Sequence, residues 1–190
     1  MSARRLRLGV ILGIAILAAL ELLADTQSWW TITVPGKPIA VAGTVAAPGL
    51  AALALCGLAL AGALAISGPV FRLVLGILEI MIGGTVVLSA ATAIAAPAKA
   101  SASLITAATG ISGDGSVNSL VENIGFTAWP LLALVAGVLS IAVGVVLLAT
   151  AKRWPGPSRK YQAVRFEDAG TPRDSVGDWD SLSDGDDPTV

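Results

Sequence analysis

The chain has 190 residues, of which 55% are hydrophobic and 13% charged, and its formal net charge is -1. A water-soluble domain of this size cannot bury so much apolar surface in one core, so the composition predicts an integral membrane protein. With no His, one Cys and two Met, the sequence lacks the usual ligands of haem, zinc and copper and the usual base of a nucleophilic enzyme. We therefore expect a protein that is not an enzyme and that holds no cofactor apart from bound lipids.

The first predicted transmembrane helix covers about residues 6–24 and begins next to Arg4, Arg5 and Arg7. A positive start followed by a short apolar run is also typical of a signal peptide. No small-x-small cleavage site with a soluble domain behind it follows here, so we interpret the run as a membrane helix. Its far end, near Glu21, is expected at the outer face of the membrane.

Residues 26–43 predict a short periplasmic hairpin, because two β-prone runs flank a Pro-Gly turn. The first run contains Trp29 and Trp30. An indole has an apolar body and a polar N–H, which suits the headgroup level of a bilayer. We interpret the pair as an anchor at the membrane surface or, alternatively, as a ridge that contacts a partner protein.

Three further transmembrane helices are predicted at about residues 47–66, 70–95 and 126–150, since roughly 20 apolar residues cross the hydrocarbon core. A Ser-Gly-Pro turn separates the first two of these helices. Residues 101–122 are rich in Ser, Thr, Gly and Asn. We interpret that segment as an exposed loop before the last helix.

Small residues recur along every predicted helix. Glycine lets helix backbones approach closely in a membrane, but such patterns also arise by chance and do not distinguish contacts inside a bundle from contacts with another protein. Cys56, within an apolar run, is interpreted as a small buried hydrophobic residue. The glycines are Gly9, Gly13, Gly57, Gly62, Gly76, Gly83, Gly84, Gly137 and Gly144.

The basic residues predict the orientation of the chain. By the positive-inside rule, the side of the membrane that carries more Lys and Arg is cytoplasmic. The expected fold is therefore an all-α, four-transmembrane-helix bundle of residues 1–151 in the plasma membrane, with both termini cytoplasmic. The residues on the inner side are Arg4, Arg5, Arg7, Arg72, Lys152, Arg153, Arg159 and Lys160, against Lys37 and Lys99 on the outer side.

Glu79 is the one ionisable residue well inside a predicted span, about two helical turns beyond Arg72. Three interpretations remain open: a neutral carboxyl near the inner leaflet, a pair with Arg72 or with a partner subunit, and a proton-relay group. A relay needs further polar groups along a path. The other predicted spans contain little beyond isolated Ser and Thr, which counts against a relay.

Residues 152–190 predict an extended cytoplasmic tail, because Asp and Glu outnumber Lys and Arg in its last thirty residues. Such a segment cannot build a core of its own and is expected to order by docking on a partner. Nucleic acid is not expected, since the orientation rule and anionic lipid account for the small basic fringe. The residues expected to contact a partner are Trp29, Trp30, Tyr161, Trp179, Leu182, Asp186, Asp187 and Pro188.

Two stretches of the chain carry a resemblance to a known family. The first comprises Ser28-Trp29-Trp30-Thr31, Val41-Ala42-Gly43-Thr44 and Ala47-Pro48, and the second comprises Ser158-Arg159-Lys160-Tyr161 and the tail from Trp179 to Thr189. Together they resemble the actinobacterial tryptophan-operon-associated (tryptophan-biosynthesis-associated) membrane proteins. The likeness spans most of the chain, and the tail motif is its more specific part.

The resemblance also reaches an accessory subunit of the actinobacterial respiratory supercomplex, in which a cytochrome bcc complex and a haem–copper oxidase are joined. It implies a non-catalytic subunit that contacts membrane lipids and these larger proteins of the electron transport chain. Such a subunit would stabilise the complex through helix packing and tail docking. Two alternatives remain open: a small transporter or channel component using Glu79, and a membrane anchor whose acidic tail recruits a soluble partner.

Overall fold

The computed structural model describes residues 3–151 and residue 154. The predicted tail, apart from Trp154, lies outside the described residues. The same holds for the predicted contact residues Tyr161, Trp179, Leu182, Asp186, Asp187 and Pro188.

Four long apolar helices dominate the described part of the chain, and short elements connect them. In chain order the elements are α1 (Ala3–Thr26), β1 (Ser28–Val34), β2 (Lys37–Ala42), α2 (Gly43–Ala46), α3 (Leu50–Ile66), α4 (Pro69–Ala95), α5 (Pro97–Ala100), α6 (Ala102–Thr109), α7 (Asp114–Leu120), β3 (Asn123–Phe126) and α8 (Trp129–Thr150). The protein is therefore mostly helical with a small sheet, which corrects the all-α expectation.

Three of the described helices are long and apolar enough to cross a membrane: α1 from Arg5 onward, α4 and α8. The remaining apolar helix, α3, has 17 residues. At 1.5 Å per residue it is about 25 Å long, slightly less than the roughly 30 Å of a hydrocarbon core. Length and composition thus identify three candidate spans, where the sequence predicted four.

The four long helices close into a bundle, since α1 packs against α3 and α8, and α4 packs against the same two helices. Proline lies in the first turn of both α4 and α8, where its missing N–H has no partner inside the helix. The last helix begins at Trp129, later than the predicted residue 126, because residues 123–126 pair as a strand.

Glycines bring α4 and α8 into close contact. A Cβ added to Gly83 would lie 2.8 Å from the Gly137 carbonyl oxygen, and one added to Gly144 would lie 3.1 Å from Ile80 N. Any side chain at these positions would push the two backbones apart. By contrast, a Cβ on Gly9, Gly62 or Gly84 would meet no atom within 4 Å.

The hairpin is part of a three-stranded antiparallel sheet with the strand order β2-β1-β3. Strands β1 and β2 pair from Val34 opposite Lys37 back to Ser28 opposite Ala42. The turn between them contains Gly36 at a φ of 81°, a conformation that glycine adopts without steric cost. On its other edge β1 pairs with β3, so the sheet ties the start of the chain to the segment before α8.

Residues 101–122 do not form the exposed loop that the sequence predicted, because they include α6 and α7. Each short helix contributes one apolar side chain to the core under the sheet: Ile105 is 0% exposed and Val117 is 3% exposed. A single buried residue in a polar segment leaves no apolar periodicity to detect. We call the sheet together with α2, α5, α6 and α7 the cap.

Candidate functional site

The structure places Trp29 and Trp30 inside the cap, both with 0% of their surface exposed. Trp29 Nε1 donates to the carbonyl oxygen of Ala24 at 2.8 Å, and Trp30 Nε1 donates to Ser101 Oγ at 2.9 Å. Buried indoles require such partners for their N–H groups. Neither side chain is available to lipid or to a partner protein, which differs from both the surface anchor and the ridge that the sequence suggested.

The two indole rings are closely packed against their neighbours in the cap. The Trp30 ring stands edge-on to Phe126 with centroids 5.6 Å apart, and edge-on to Trp29 at 5.9 Å. A Cβ added to Gly43 would lie 2.7 Å from Trp29 Nε1, so this position tolerates glycine alone. The motif residues around Trp29 and Gly43 therefore have a structural role in this chain.

Side chains of α1 bind both ends of α3. At one end Arg7 Nη2 donates to the carbonyl oxygens of Leu64 and Ala65, and at the other the Ala51 N–H donates to the Asp25 carboxyl. A cation at the C-terminus and an anion at the N-terminus of a helix oppose its dipole and satisfy backbone groups left free there. Helix α1 thus binds α3 at both of its ends.

Arg72 lies at the Arg7 end of the bundle and is 1% exposed. Its guanidinium carbon is 5.4 Å from the centroid of the Trp154 ring, and Nη1 donates to the Trp154 carbonyl oxygen at 3.4 Å. This geometry is a cation–π contact supported by a hydrogen bond. Pairing of Arg72 with Glu79 stays a prediction.

Two carboxyls and a hydroxyl are buried in the interior of the bundle. Glu21 of α1 is 1% exposed, Glu79 of α4 is 2% exposed and Ser140 of α8 is 2% exposed. Ser140 Oγ donates to Glu21 Oε1 at 3.3 Å, and Glu79 lies within electrostatic range of Glu21. Glu79 Oε2 is buried without a hydrogen-bond partner among the described residues. We call these three residues the carboxyl cluster.

The carboxyl cluster corrects two expectations: that Glu21 reaches the outer face and that Glu79 has no polar neighbours in the other helices. Its sequence signal was helical periodicity: Glu21 follows Ile14 and Ala18 by seven and three positions, and those two side chains are 1% and 3% exposed. Ser140 stands likewise between Gly137 and Gly144, which face α4. The sequence shows each polar residue on its own helix and gives no sign that the three interior faces coincide.

The other candidate ligands lie elsewhere. Cys56 is exposed on α3 rather than buried as predicted, because the apolar run is apolar on every side and its pattern does not mark an inner face. Within residues 3–151 and 154, no three His, Cys, Asp or Glu side chains are grouped to hold a metal ion.

Long apolar helices and an apolar outer surface define this chain as a multi-pass integral membrane protein. More particularly, the chain belongs to the tryptophan-associated transmembrane protein family, which it matches over residues 11–189. Among curated proteins and among solved structures, none matches the chain. The family match agrees with the first part of the resemblance seen in the sequence, and it names no partner and no reaction.

Proposed function

We propose that the protein is a non-catalytic accessory subunit of a larger plasma-membrane complex. Its partners on this proposal are the cytochrome bcc complex and the cytochrome oxidase of the actinobacterial respiratory supercomplex, as the sequence resemblance implies. Its helices pack against these subunits, and its acidic tail docks on their cytoplasmic surface. The protein itself binds no cofactor apart from lipids.

The proposal includes a fourth membrane crossing by α3, with both termini cytoplasmic and the cap periplasmic. The support is the pair of α1 side chains that bind the ends of α3, Arg7 and Asp25. Because these two residues bracket the apolar part of α1, α3 extends over the same depth as a helix that is itself long enough to span. A bilayer that is locally thinner accommodates the short helix at modest cost.

The observation that carries the accessory role is the set of outward-facing glycines. Gly62 on α3 and Gly84 on α4 have open space where a Cβ would lie, so packing inside the bundle does not require them. Glycine weakens a helix, and in membranes its common use is to let another helix approach closely. Around them α4 presents large exposed apolar side chains such as Met81 and Leu88.

The test is affinity purification of tagged full-length protein in mild detergent, with mass spectrometry of the proteins that come with it. Gly62→Leu and Gly84→Leu place side chains at two positions where a Cβ meets no atom within 4 Å. We expect both variants to be at least as stable to heat as the wild type, since leucine favours a helix more than glycine does, and to lose larger membrane proteins from the purified material. Met81→Leu, a volume-conserving change at an exposed position of α4, should retain them.

Absence of any larger membrane protein from the wild-type purification would defeat the accessory role. Retention of every partner by both leucine variants would show that α3 and α4 do not form the contact through their glycines. Loss of partners in Met81→Leu as well would point to a general effect of changing the exposed surface.

A second candidate, a small transporter or channel component, is favoured by the carboxyl cluster, because ionisable groups inside a membrane bundle often mark an ion pathway. On this reading Glu79→Gln abolishes ion flux through the protein in proteoliposomes, while the protein still inserts and folds. Wild-type protein that supports no flux of protons or alkali cations above empty liposomes would dismiss it.

A further inference from the structure

The carboxyl cluster combines three helices that are distant in sequence. Glu21, Glu79 and Ser140 are each at least 98% buried, and they come from α1, α4 and α8, the helices that are long enough to span the membrane. The Ser140 hydroxyl already binds one oxygen of Glu21 at 3.3 Å. The packing of the bundle therefore buries three oxygen-bearing side chains from three candidate membrane helices in one interior.

Oxygen acceptors outnumber the donors that face them. Glu79 Oε2 is buried and has no hydrogen-bond partner among the described residues. Of the helices packed around the cluster, neither α3 nor α8 carries a Lys, Arg, Asp or Glu, and Cys56 of α3 is exposed.

The two remaining helices supply the other charged groups near the cluster. On α1, Asp25 lies one turn beyond Glu21 and binds the N–H of Ala51, while Arg7 binds the far end of α3. On α4, Arg72 contacts Trp154 about 10 Å of helix rise from Glu79. Glu79 Oε2 is therefore hydrogen-bonded to none of these charged groups.

We propose that Glu21, Glu79 and Ser140 form an intramembrane site for one small monovalent cation, a proton or Na⁺. The two carboxyls and the hydroxyl offer at most five oxygen atoms, fewer than the six to eight that Mg²⁺ or Ca²⁺ usually takes. A proton shared by the carboxyls, or a sodium ion held between their oxygens, gives Glu79 Oε2 the partner it lacks and lowers the electrostatic cost of two carboxyls in hydrocarbon. The site does not depend on the accessory role and goes beyond it.

The cluster is tested with dicyclohexylcarbodiimide, an apolar reagent that adds covalently to protonated carboxyls in membranes. The full-length protein is labelled in native membranes over a series of pH values, once with sodium chloride and once with choline chloride at equal ionic strength. Peptide mass spectrometry then reports the label at each acidic residue. Glu122, which is exposed to water outside the candidate spans, is the internal control and should take up none.

We expect label at Glu79 or Glu21 that falls about tenfold per pH unit once the site loses its proton. If sodium leaves this labelling unchanged, the occupant is a proton. If sodium suppresses it severalfold while choline does not, the occupant is Na⁺. Absence of label from both residues at every pH in choline would overturn the proposal.

Glu79→Gln distinguishes a cation site from a merely structural role of this carboxyl. The amide keeps the size of the side chain and cannot exchange a proton or bind Na⁺ as a carboxylate does. In detergent we expect the melting temperature of the wild type to depend on pH or on sodium, and that dependence to be reduced in Glu79→Gln. A melting temperature of the wild type that is indifferent to both would contradict the site independently of the labelling.

Discussion

Replacing Gly83 with alanine places a methyl group in the closest part of the contact between α4 and α8. An ideal Cβ on Gly83 lies 2.8 Å from the Gly137 carbonyl oxygen, 2.9 Å from Ile141 N and 3.0 Å from Ile141 Cγ1. Two of these neighbours are backbone atoms, which no change of rotamer can move. The helices must therefore separate locally, and the surrounding contacts loosen with them.

The adjacent glycine supplies the reference for the magnitude. Overpacking of this kind destabilises a protein by about 1–3 kcal/mol, while alanine stabilises a helix by about 1 kcal/mol relative to glycine. A Cβ on Gly84 meets no atom within 4 Å, so Gly84→Ala has the second effect without the first. The free energy of unfolding of Gly83→Ala should thus be lower than that of Gly84→Ala by about 1–3 kcal/mol.

Unfolding of the purified full-length protein in mild detergent, followed by loss of helical circular dichroism as denaturing detergent is added, measures this difference. Gly144→Ala should behave like Gly83→Ala, because its Cβ would lie 3.1 Å from Ile80 N and 3.2 Å from the Gly76 carbonyl oxygen. Equal stability of Gly83→Ala and Gly84→Ala would refute the reasoning that the α4–α8 contact requires glycine.

Three further changes test the cap and the helix ends by the same unfolding measurement. Ile105→Ala should destabilise by about 2–5 kcal/mol, since the side chain is 0% exposed, whereas Ile111→Ala, at a residue 41% exposed, should have little effect; equal effects would mean that α6 does not pack on the core. Trp30→Phe should cost about 1 kcal/mol or more for the lost hydrogen bond to Ser101, and Ser101→Ala made in that background should then add less than it does alone. Asp25→Asn, which keeps an acceptor for α3 and removes the charge, should destabilise by about 0.3–1 kcal/mol; an unchanged stability would exclude a charge–dipole contribution.

The structure has long helices at the apolar runs of the sequence, because the signal of an apolar run is local. Apolar runs mark helix 70–95 within one residue of α4, and the last helix ends at Thr150 as predicted. The cap was harder to predict. Ile105 and Val117 are buried by residues from other elements, and β3 pairs with β1 across about ninety positions of sequence, so no window of the sequence contains the cause.

The candidate site, too, was predictable from the sequence only in part. Glu79 could be singled out from the sequence, because one carboxyl in an apolar run is conspicuous. Its neighbours could not, because Glu21 lies near the end of its helix and Ser140 is a common residue in a long apolar helix. The sequence marks the indole pair as important, but hydropathy gives no sign that both rings are fully buried.

The sequence by itself determined that this chain inserts into a membrane, since runs of apolar residues of the right length have no other stable solvent. It also determined where the long helices lie and to which family the chain belongs. Only the tertiary structure decided which glycines lie at the contact between two helices and which face outward, and which polar groups lie together in the interior. The physical reason is that a helical pattern specifies a buried face, while the partner of that face depends on how the helices are rotated and packed against one another.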